Sequence, residues 1–338
     1  MTSAATPSVV VIRFSSLGDC ILTSGVLEQL ASDHSGSRLI VVTKPSFGAV
    51  FRMVAGVHHV LELDAVRHAG FLGLGRLARA IVALNPAQIV DLHGTLRARI
   101  LRLWIWCLGP GIRWRAIRKD SVRRRWLVWR HGRTALSHIT ARYARAALGQ
   151  TVAAVPPRLR LVSSVPRNRS VALIPGAAWA TKKWPVQSFV DLAGRLMSAG
   201  WQVQVLGGDH ERDLVPYFES LPRGPHVRLA VDCRHRPMQE LASILARQWA
   251  VVANDTGLMH MASAVGTPVV AIFGPTAPNL GFAPTGPRDR SVWQGTECSP
   301  CTLHGQHACP RGHHQCMREL RAETVWQALT PILETYKE

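Results

Sequence analysis

Short β-branched runs alternate with helical patterns along this 338-residue chain, and the alternation occurs twice. In the first half, four runs predict strands, at 9–14, 38–43, 59–63 and 87–92. Helical patterns at 20–33 and 71–85 lie between them. Such alternation predicts a parallel sheet that is covered by helices on both faces.

The second half repeats this pattern after a stretch, 149–170, that contains three prolines and no sustained helical period. This stretch predicts an interdomain linker. Further strands are predicted beyond it, at 171–176, 201–208, 227–232, 251–255 and 268–274, and a closing helix at 322–337. We therefore predict an α/β chain of two Rossmann-like, doubly wound domains, 1–160 and 161–338, with ligands in a cleft at the carboxyl ends of the strands.

Composition indicates a globular protein, since 47% of the residues are apolar and 18% are charged. The first residues lack the basic and apolar regions of a signal peptide. The apolar helical stretch 99–109 is too short, and too interrupted by arginine, to span a bilayer. We therefore expect a cytoplasmic protein.

The formal net charge of +19 is unevenly distributed along the chain. Residues 1–160 contain 23 basic and 7 acidic residues, whereas the remainder contains 17 and 14. Charge of this kind is informative about partners rather than about the fold. It predicts an anionic partner for the first half.

Asp19 follows the first predicted strand through the residues Ser-Ser-Leu-Gly and precedes a helical pattern. Capping of that helix would explain an aspartate here. However, Ser15 and Ser16 already supply capping groups, and the turn belongs to the carboxyl edge of the sheet. A carboxylate in that position can accept a proton from an incoming hydroxyl.

The stretch NDTGLMHMASAVGTP in the second half places a helix start directly after a strand. Thr256 and Gly257 open this helix, and its free N–H groups are suited to phosphate. His260 lies one turn further on the same face. The simpler alternative is an ordinary strand–turn–helix with Asp255 as the N-cap.

Two further motifs place charged residues after strands, at the carboxyl edge of the predicted second sheet. Lys182 and Lys183 follow a Pro-Gly turn, where they suit a diphosphate leaving group or, alternatively, are solvated surface lysines. Glu211 follows a strand and two glycines, where it can accept hydrogen bonds from ribose hydroxyls. The glycine and lysine spacing is not that of a Walker A loop.

The blocks RFSSLGDCILTSGVLEQL, PGAAWATKKWP and NDTGLMHMASAVGTPVVAIFGPT are followed by CSPC and CPRGHHQCM. In this order they resemble the lipopolysaccharide heptosyltransferases, glycosyltransferase family 9, and the cysteine-containing tail is most similar to the heptosyltransferase II branch. The resemblance implies a GT-B fold, with the acceptor on the N-terminal domain and the donor, ADP-L-glycero-D-manno-heptose, on the C-terminal domain. It also implies an inverting transfer to the inner core of lipopolysaccharide that needs no metal.

By motif position, the resemblance implies that Asp19 is the catalytic base and Lys182 the conserved lysine of the cleft. The adjacent Lys183 leaves open which of the two lysines functions. The remaining implied contacts are with the donor: Asp255 near the sugar, Thr256, Gly257 and His260 at the diphosphate, and Glu211 at the ribose. These roles agree with the physical requirements, because an inverting transfer needs one base and a stabilised leaving group.

A segment rich in arginine and tryptophan extends from Arg97 to Arg145, with 14 basic residues, one acid and five tryptophans. It suits an anionic membrane surface or acceptor, a single-stranded nucleic acid, or a solvated basic face over core tryptophans. We favour peripheral association with the inner membrane and expect no nucleic acid, since no reader motif is present. The residues predicted to contact acceptor or membrane are Arg123, Arg124, Arg125, Trp126 and Trp129.

Four cysteines, Cys298, Cys301, Cys309 and Cys316, fall within 19 residues near the end of the chain. Their spacing predicts a structural Zn or Fe site with four thiolate ligands and no open catalytic position. The alternative is a set of reduced thiols that pack a loop. No cofactor is expected for catalysis.

Two other functions remain open at this point. The chain could be another nucleotide-sugar GT-B transferase, with a different donor or a protein acceptor. It could also be a non-catalytic nucleic-acid-binding protein on a Rossmann scaffold. Substitution of Asp19 by Asn separates these hypotheses, because only an enzyme loses turnover while it retains the sugar nucleotide.

Overall fold

The structure is a computed structural model. It describes residues 6–149, 151, 154–219, 221, 227–232 and 236–336, with 209, 210, 215 and 227–232 described by their backbone alone. The chain divides into two compact units. Unit 1 is Met1–Lys119 with Ile139–Arg160, and unit 2 is Asp120–His138 with Leu161–Glu338.

The described part of unit 1 contains a parallel sheet in the order β3-β2-β1-β4-β5. Its strands are β1 (Ser8–Ile12), β2 (Arg38–Thr43), β3 (Val57–Glu62), β4 (Pro86–Asp91) and β5 (Arg113–Ala116). All residues of β1 are buried, as expected for a central strand of valine and isoleucine that is covered on both faces. The predicted α/β class is confirmed for this unit.

Helices cover the sheet of unit 1, and one helix between them belongs to unit 2. In chain order they are α1 (Leu17–Leu22), α2 (Ser24–Asp33), α3 (Pro45–Arg52), α4 (Gly70–Val82), α5 (Leu96–Leu108), α6 (Ser121–Trp129, unit 2) and α7 (Ile139–Leu148). The single helix predicted at 20–33 is divided at Thr23, whose hydroxyl donates to the Cys20 carbonyl oxygen at 2.7 Å. A threonine hydroxyl that bonds to the preceding turn competes with the helix in this way.

The described part of unit 2 contains a second parallel sheet, in the order β11-β10-β9-β6-β7-β8. Its strands are β6 (Ser170–Ile174), β7 (Gln202–Gly207), β8 (Val227–Asp232), β9 (Ala250–Asn254), β10 (Val269–Phe273) and β11 (Arg290–Trp293). Strand β11 was not predicted, because it is a four-residue edge strand that begins with two exposed polar residues.

The helices of unit 2 beyond α6 are α8 (Val186–Ser198), α9 (Val215–Glu219), α10 (Met238–Ala246), α11 (Gly257–Ala264), α12 (Gln315–Arg318) and α13 (Ala322–Leu333). Short 3₁₀ helices occur at Ala180–Lys182, Asp209–Leu214 and Pro278–Leu280. Helix α13 ends four residues earlier than predicted, with Pro331 in its last turn.

Each unit has its own hydrophobic core. In unit 1, Leu77 of α4 and Leu101 of α5 pack against the sheet residues Val10 and Ile40. In unit 2, Trp184 is buried beside α8, and its indole N–H donates to the Leu320 carbonyl oxygen at 2.8 Å. The hydrogen bond satisfies the one polar atom of this large buried ring.

The segment 120–138 departs from the predicted domain 1–160, because it packs on unit 2. Leu127 and Leu136 form a small apolar cluster with Leu280, and the Leu136 N–H donates to the Asn279 carbonyl oxygen at 2.9 Å. Burial of these leucines against Leu280 places the segment on unit 2, although its neighbours in sequence on both sides belong to unit 1. Besides the two ends of this segment, the units have one further boundary, between Arg160 and Leu161.

Among the described residues, no helix combines the length and the apolar character that crossing a membrane requires.

Candidate functional site

Asp19 lies in the first turn of α1, at the carboxyl end of the central strand β1, and three side chains bind its carboxylate. Arg13 Nη2 lies 2.6 Å from Oδ2, and the Ser16 hydroxyl donates to the same oxygen at 3.0 Å. The Tyr143 hydroxyl donates to Oδ1 at 3.0 Å. The side chain of Asp19 is nevertheless 26% exposed, so solvent reaches part of it.

These contacts determine the ionisation of Asp19. Burial favours the neutral acid, but the Arg13 charge and the hydrogen bonds from Ser16 and Tyr143 outweigh it and hold the pKa of Asp19 below its ordinary value. Burial and the Asp19 charge together raise the pKa of Tyr143 well above its ordinary value, so that it remains a donor. The carboxylate is therefore charged at neutral pH.

Arg13 is fixed as firmly as its partner. Its Nη1 donates to the Leu92 carbonyl oxygen at 2.6 Å, and its guanidinium lies 5.4 Å from the centre of the Tyr143 ring. A buried arginine with two fixed partners is a permanent positive charge rather than a mobile side chain. Ser16 is the N-cap residue of α1. Asp19 is not the N-cap, but it is the N3 residue of a capping box, and its Oδ2 accepts from the Ser16 N–H at 3.4 Å. Asp19 therefore caps the helix in addition to its contacts with Arg13 and Tyr143.

The end of β4 contributes polar groups close to Arg13. Asp91 Oδ1 accepts from the N–H groups of His93 and Gly94, both at 2.8 Å, which shapes the turn after the strand. Burial, together with the charges of Arg13 and Lys119, lowers the pKa of His93 to about 4. His93 is therefore a neutral imidazole at pH 7.

Arg13 and Tyr143 were not predicted as site residues from the sequence. Arg13 carried a signal, since a charged residue at the end of an apolar strand is buried only when it is paired. Tyr143 carried none, because it is 124 residues from Asp19 and reaches it only through the packing of α7.

In unit 2, Lys182 and Asp255 form an ion pair at the carboxyl ends of β6 and β9. Their Nζ and Oδ2 atoms are 2.6 Å apart, and both side chains are 13% exposed. The Thr276 hydroxyl donates to the same oxygen of Asp255 at 2.8 Å. Asp255 is thus not the N-cap of α11.

The N-cap of α11 is Thr256, whose hydroxyl oxygen accepts from the Met259 N–H at 3.4 Å. Gly257 begins the helix, so its free N–H groups and positive dipole end lie next to the Lys182–Asp255 pair. His260, in contrast, is only 5% exposed and belongs to the buried face of α11.

Lys183 and Glu211 form a second, longer contact of 3.5 Å. The Glu211 carboxylate accepts from the Gly208 N–H at 3.0 Å, which closes the turn after β7. A Cβ atom at Gly176 would lie 2.7 Å from the Glu211 carboxyl carbon, so the glycine makes room for this side chain. The two lysines therefore have separate partners.

The four cysteines line one small cavity of about 10 Å³, together with His313 and His314. Cys298 Sγ lies 3.8 Å from His313 Nε2. Burial raises the pKa of Cys301 to about 11 and that of Cys316 to about 12. Within the residues that the structure describes, no three His, Cys, Asp or Glu side chains are arranged to hold a metal ion.

The predicted acceptor or membrane residues lie on α6. Trp126 and Trp129 are 54% and 72% exposed, and the Arg130 guanidinium lies over both rings, at 5.3 and 5.5 Å. Arg123 and Arg125 are exposed, whereas Arg124 lies over the Phe282 ring at 4.9 Å. The alternative in which these tryptophans are core residues is therefore wrong for α6.

Curated relatives match part of this chain. Lipopolysaccharide heptosyltransferase 1 of Pseudomonas aeruginosa is 35% identical over 43% of this chain and 39% of its own length. Lipopolysaccharide heptosyltransferase 2 of Salmonella typhimurium is 28% identical over 48% of this chain and 46% of its own length. The matched region thus spans about half, or less, of these relatives.

Solved structures match the chain over nearly its whole length. The family 9 glycosyltransferase of Veillonella parvula has a TM-score of 0.74 and 19% identity, over 98% of this chain and 99% of its own. The ADP-heptose lipopolysaccharide heptosyltransferase II of Escherichia coli has a TM-score of 0.71 and 17% identity, over 97% and 98%. The iron-containing glycosyltransferase TibC of Escherichia coli has a TM-score of 0.60 and 15% identity, over 97% and 79%.

At these identities the structural likeness shows the fold alone, and it confirms the predicted GT-B class. The family is shown by a separate match: the model described as glycosyltransferase family 9 (heptosyltransferase) covers residues 133–309, slightly more than half of the chain. This chain belongs to glycosyltransferase family 9, the heptosyltransferases.

Proposed function

We propose that this chain transfers a heptose from ADP-L-glycero-D-manno-heptose to the inner core of lipopolysaccharide, with inversion at the anomeric carbon. The observation that carries the proposal is the arrangement of Lys182, Asp255 and the start of α11 in unit 2. A lysine ammonium and free helix N–H groups at one sheet edge are the groups that stabilise a departing diphosphate. The names of the relatives and the family support heptose as the transferred sugar.

Asp19 is the general base in this proposal. Its carboxylate is ionised at neutral pH, and its partly exposed side chain is the part of the site that an acceptor hydroxyl would approach. Because Arg13 lowers its basicity, Asp19 takes the proton as the new glycosidic bond forms and the diphosphate leaves, rather than in a separate earlier step. One base is sufficient, since an inverting displacement uses no carboxylate nucleophile.

On the donor side, Lys182 compensates the charge that develops on the leaving ADP, and Thr256 and Gly257 present the helix start to the diphosphate. Asp255 holds the lysine in place and lies next to the sugar. Glu211 accepts from the ribose hydroxyls, and Lys183 remains paired with it. The buried position of His260 supports a role in packing α11 rather than in direct contact with the diphosphate.

The acceptor side of the proposal includes the membrane. Trp126, Trp129 and the arginines of α6 form an exposed basic and aromatic surface, which suits anionic lipid headgroups and the phosphates of the acceptor. Trp106 and Leu103 of α5 are also exposed, beside further arginines. We infer peripheral association with the cytoplasmic face of the inner membrane.

We also infer that the four cysteines bind a structural Zn or Fe ion. The support is chemical: the four cysteines line one cavity, and soft thiolates are the preferred ligands of these metals. Because the described side chains are not arranged as a ligand set, binding requires the thiols to move closer together. TibC, a protein of similar fold, is described as iron-containing. The metal content of the purified protein, measured by mass spectrometry with and without substitution of Cys298 and Cys301 by Ser, tests this inference.

The proposed function is tested first by titration calorimetry with ADP-heptose, ADP-glucose, UDP-glucose and GDP-mannose. Selective binding of ADP-heptose supports the proposal. Preference for a UDP- or GDP-sugar would leave the proposed glycosyltransferase activity in place but would show that the proposed donor is wrong. Binding of none of the four, with salt-sensitive binding of an oligonucleotide instead, would favour the non-catalytic alternative.

A further inference from the structure

Lys182 is the last residue of a single 3₁₀ turn, Ala180–Lys182, that has few hydrogen bonds of its own. The Lys182 N–H donates to the Trp179 carbonyl oxygen at 3.0 Å, and the Lys183 N–H donates to that of Ala180 at 3.1 Å. An isolated turn of this length is not stable in water. The direction of the Lys182 side chain must therefore be fixed by contacts with other parts of unit 2.

Thr181, in the middle of this turn, makes those contacts with the cysteine-rich segment, residues 298–316. Its N–H and its hydroxyl both donate to the Gln306 carbonyl oxygen, at 3.2 and 3.0 Å, and its hydroxyl accepts from the Gln306 N–H at 2.9 Å. His314 Nε2 donates to the Thr181 carbonyl oxygen at 2.7 Å. Thr181 is only 4% exposed, so water does not compete for these bonds.

Trp179 extends the contact on the other side of the turn. Its ring meets that of His307 edge to face, with the centres 5.0 Å apart. Gly305 has φ +103°, and a Cβ atom there would lie 2.5 Å from the Trp179 Cβ. The cysteine-rich segment is thus shaped to fit closely against the turn.

The same threonine also lines the cavity that the four cysteines form. The thiols, Gln306, His314 and Thr181 are therefore one packed group, and Lys182 is the next residue along the chain. From this group, Lys182 reaches Asp255 at 2.6 Å.

We propose that Thr181 is a positioning residue, through which the cysteine-rich segment holds Lys182 against Asp255 and so prepares it for the leaving diphosphate. This inference rests on the proposed function of Lys182. Thr181 itself touches no reacting group. Loss of its hydroxyl releases the lysine because two of the four bonds that hold the turn depend on that oxygen.

Chemical labelling tests the positioning without reference to the reaction. Acetic anhydride is applied to the folded protein, and the acetylation of Lys182 is measured by mass spectrometry relative to the exposed Lys44. Thr181→Val removes both hydrogen bonds of the hydroxyl and is expected to raise the relative rate at Lys182 by at least about fivefold, the effect of a single lost buried hydrogen bond. An unchanged rate overturns the proposal.

Two controls and a second variant make this experiment specific. Thr181→Ser retains the hydroxyl and should label as the wild type does. Thr330→Val removes a hydroxyl that donates to the Trp326 carbonyl oxygen within α13, away from the turn, and should also have no effect. His314→Phe removes the bond to the Thr181 carbonyl from the other side, and it tests the same prediction if Thr181→Val does not fold.

A double-mutant cycle then relates the positioning to turnover. Thr181→Val should lower kcat about tenfold in the wild-type background and have no further effect in Lys182→Ala, since coupled residues are not additive. An equal loss in both backgrounds would mean a purely structural role and would overturn the inference. Absence of heptose transfer by the wild type would instead overturn the proposed function, with the labelling result unaffected.

Discussion

The carboxylate of Asp19 has more hydrogen-bond donors than a general base requires. Arg13, Ser16 and Tyr143 all stabilise the ionised form, so a proton that Asp19 accepts in the proposed transfer is held weakly. A weak base is adequate here, because expulsion of a diphosphate drives the displacement and the hydroxyl need not be deprotonated beforehand. The same three donors also orient the carboxylate, which reduces the entropic cost of reaching a reactive geometry.

Asp19→Asn is expected to lower kcat about 10³-fold, because the amide has nearly the same shape but cannot accept a proton. The affinity for ADP should remain within about twofold of the wild type, since Asp19 belongs to unit 1 and the proposed donor residues belong to unit 2. Steady-state kinetics and titration calorimetry measure the two quantities. A fully active variant would remove Asp19 from the mechanism.

Tyr143→Phe is expected to shift the acidic limb of the pH profile of kcat/KM to higher pH. In the proposed mechanism Asp19 must be ionised, and its pKa lies below its ordinary value of 3.8, so wild-type activity is expected to be lost only as the pH falls through that lowered value. Loss of the Tyr143 hydrogen bond raises the pKa of Asp19 and brings the limb closer to neutrality. Profiles of the two proteins, with Tyr217→Phe as a control, test the direction of the shift.

The same linkage affects stability. A carboxyl group with a lowered pKa in the folded state stabilises the protein above its unfolded pKa, and the contribution disappears as the pH falls through the folded pKa. Tyr143→Phe should therefore reduce the free energy of unfolding at neutral pH, with the difference from wild type diminishing in acid. Chemical denaturation at several pH values measures this.

At the scale of elements, the strands were predictable and the tertiary position of α6 was not. The run of β2 ended where predicted, because burial of Leu39 to Thr43 between the covering helices imposes a continuous apolar stretch. Helix α6 lies inside the predicted first domain, yet it packs on unit 2 through Leu127. Leu280, to which this helix packs, is more than 140 residues away in sequence, so no local sequence pattern could predict the contact.

In the candidate site, too, some residues were predictable from the sequence and others were not. Asp19, Lys182 and Asp255 could be predicted as candidates because each follows a strand, and in each sheet the carboxyl ends of the parallel strands lie at one edge. Arg13 and Tyr143 were missed, since their contribution depends on side-chain distances that periodicity does not contain. The structure also separated Lys182 from Lys183 by partner, which adjacency in sequence could not do.

The exposed face of α6 leads to a prediction about binding to lipid. Replacement of both Trp126 and Trp129 by Ser should weaken binding to vesicles that contain phosphatidylglycerol by about tenfold, because each ring contributes apolar area at the headgroup boundary. The melting temperature should change little, since both rings are solvent-exposed. Co-sedimentation measures the binding.

Tyr217→Ser, at an exposed aromatic residue on α9, is the matched control for this pair of substitutions. Vesicles of phosphatidylcholine alone should bind the wild type weakly, because they lack the anionic headgroups that attract arginine. Equal binding by the wild type and the double variant would exclude α6 as the lipid-binding surface.

At the scale of the whole molecule, the excess of basic residues differs less between the two structural units than between the two halves of the sequence. Unit 1 carries 18 basic and 6 acidic residues, and unit 2 carries 22 and 15. The difference arises because five arginines of the segment 120–138 belong to unit 2. An anionic acceptor or membrane can therefore be attracted by both units, rather than by the first alone.

The two separate cores lead to a prediction about unfolding. Leu77→Ala in unit 1 and Leu192→Ala in unit 2 each empty a fully buried site, and each should lower the free energy of unfolding by about 2–5 kcal/mol. ADP at about 100 times its Kd should restore about 2.7 kcal/mol to the unit that binds it. If the donor site is built from Lys182 and the start of α11, ADP will raise the transition that Leu192→Ala lowers and leave the one that Leu77→Ala lowers unchanged. Scanning calorimetry of both variants with and without ADP decides this, and a shift confined to the Leu77→Ala transition would place nucleotide binding in unit 1.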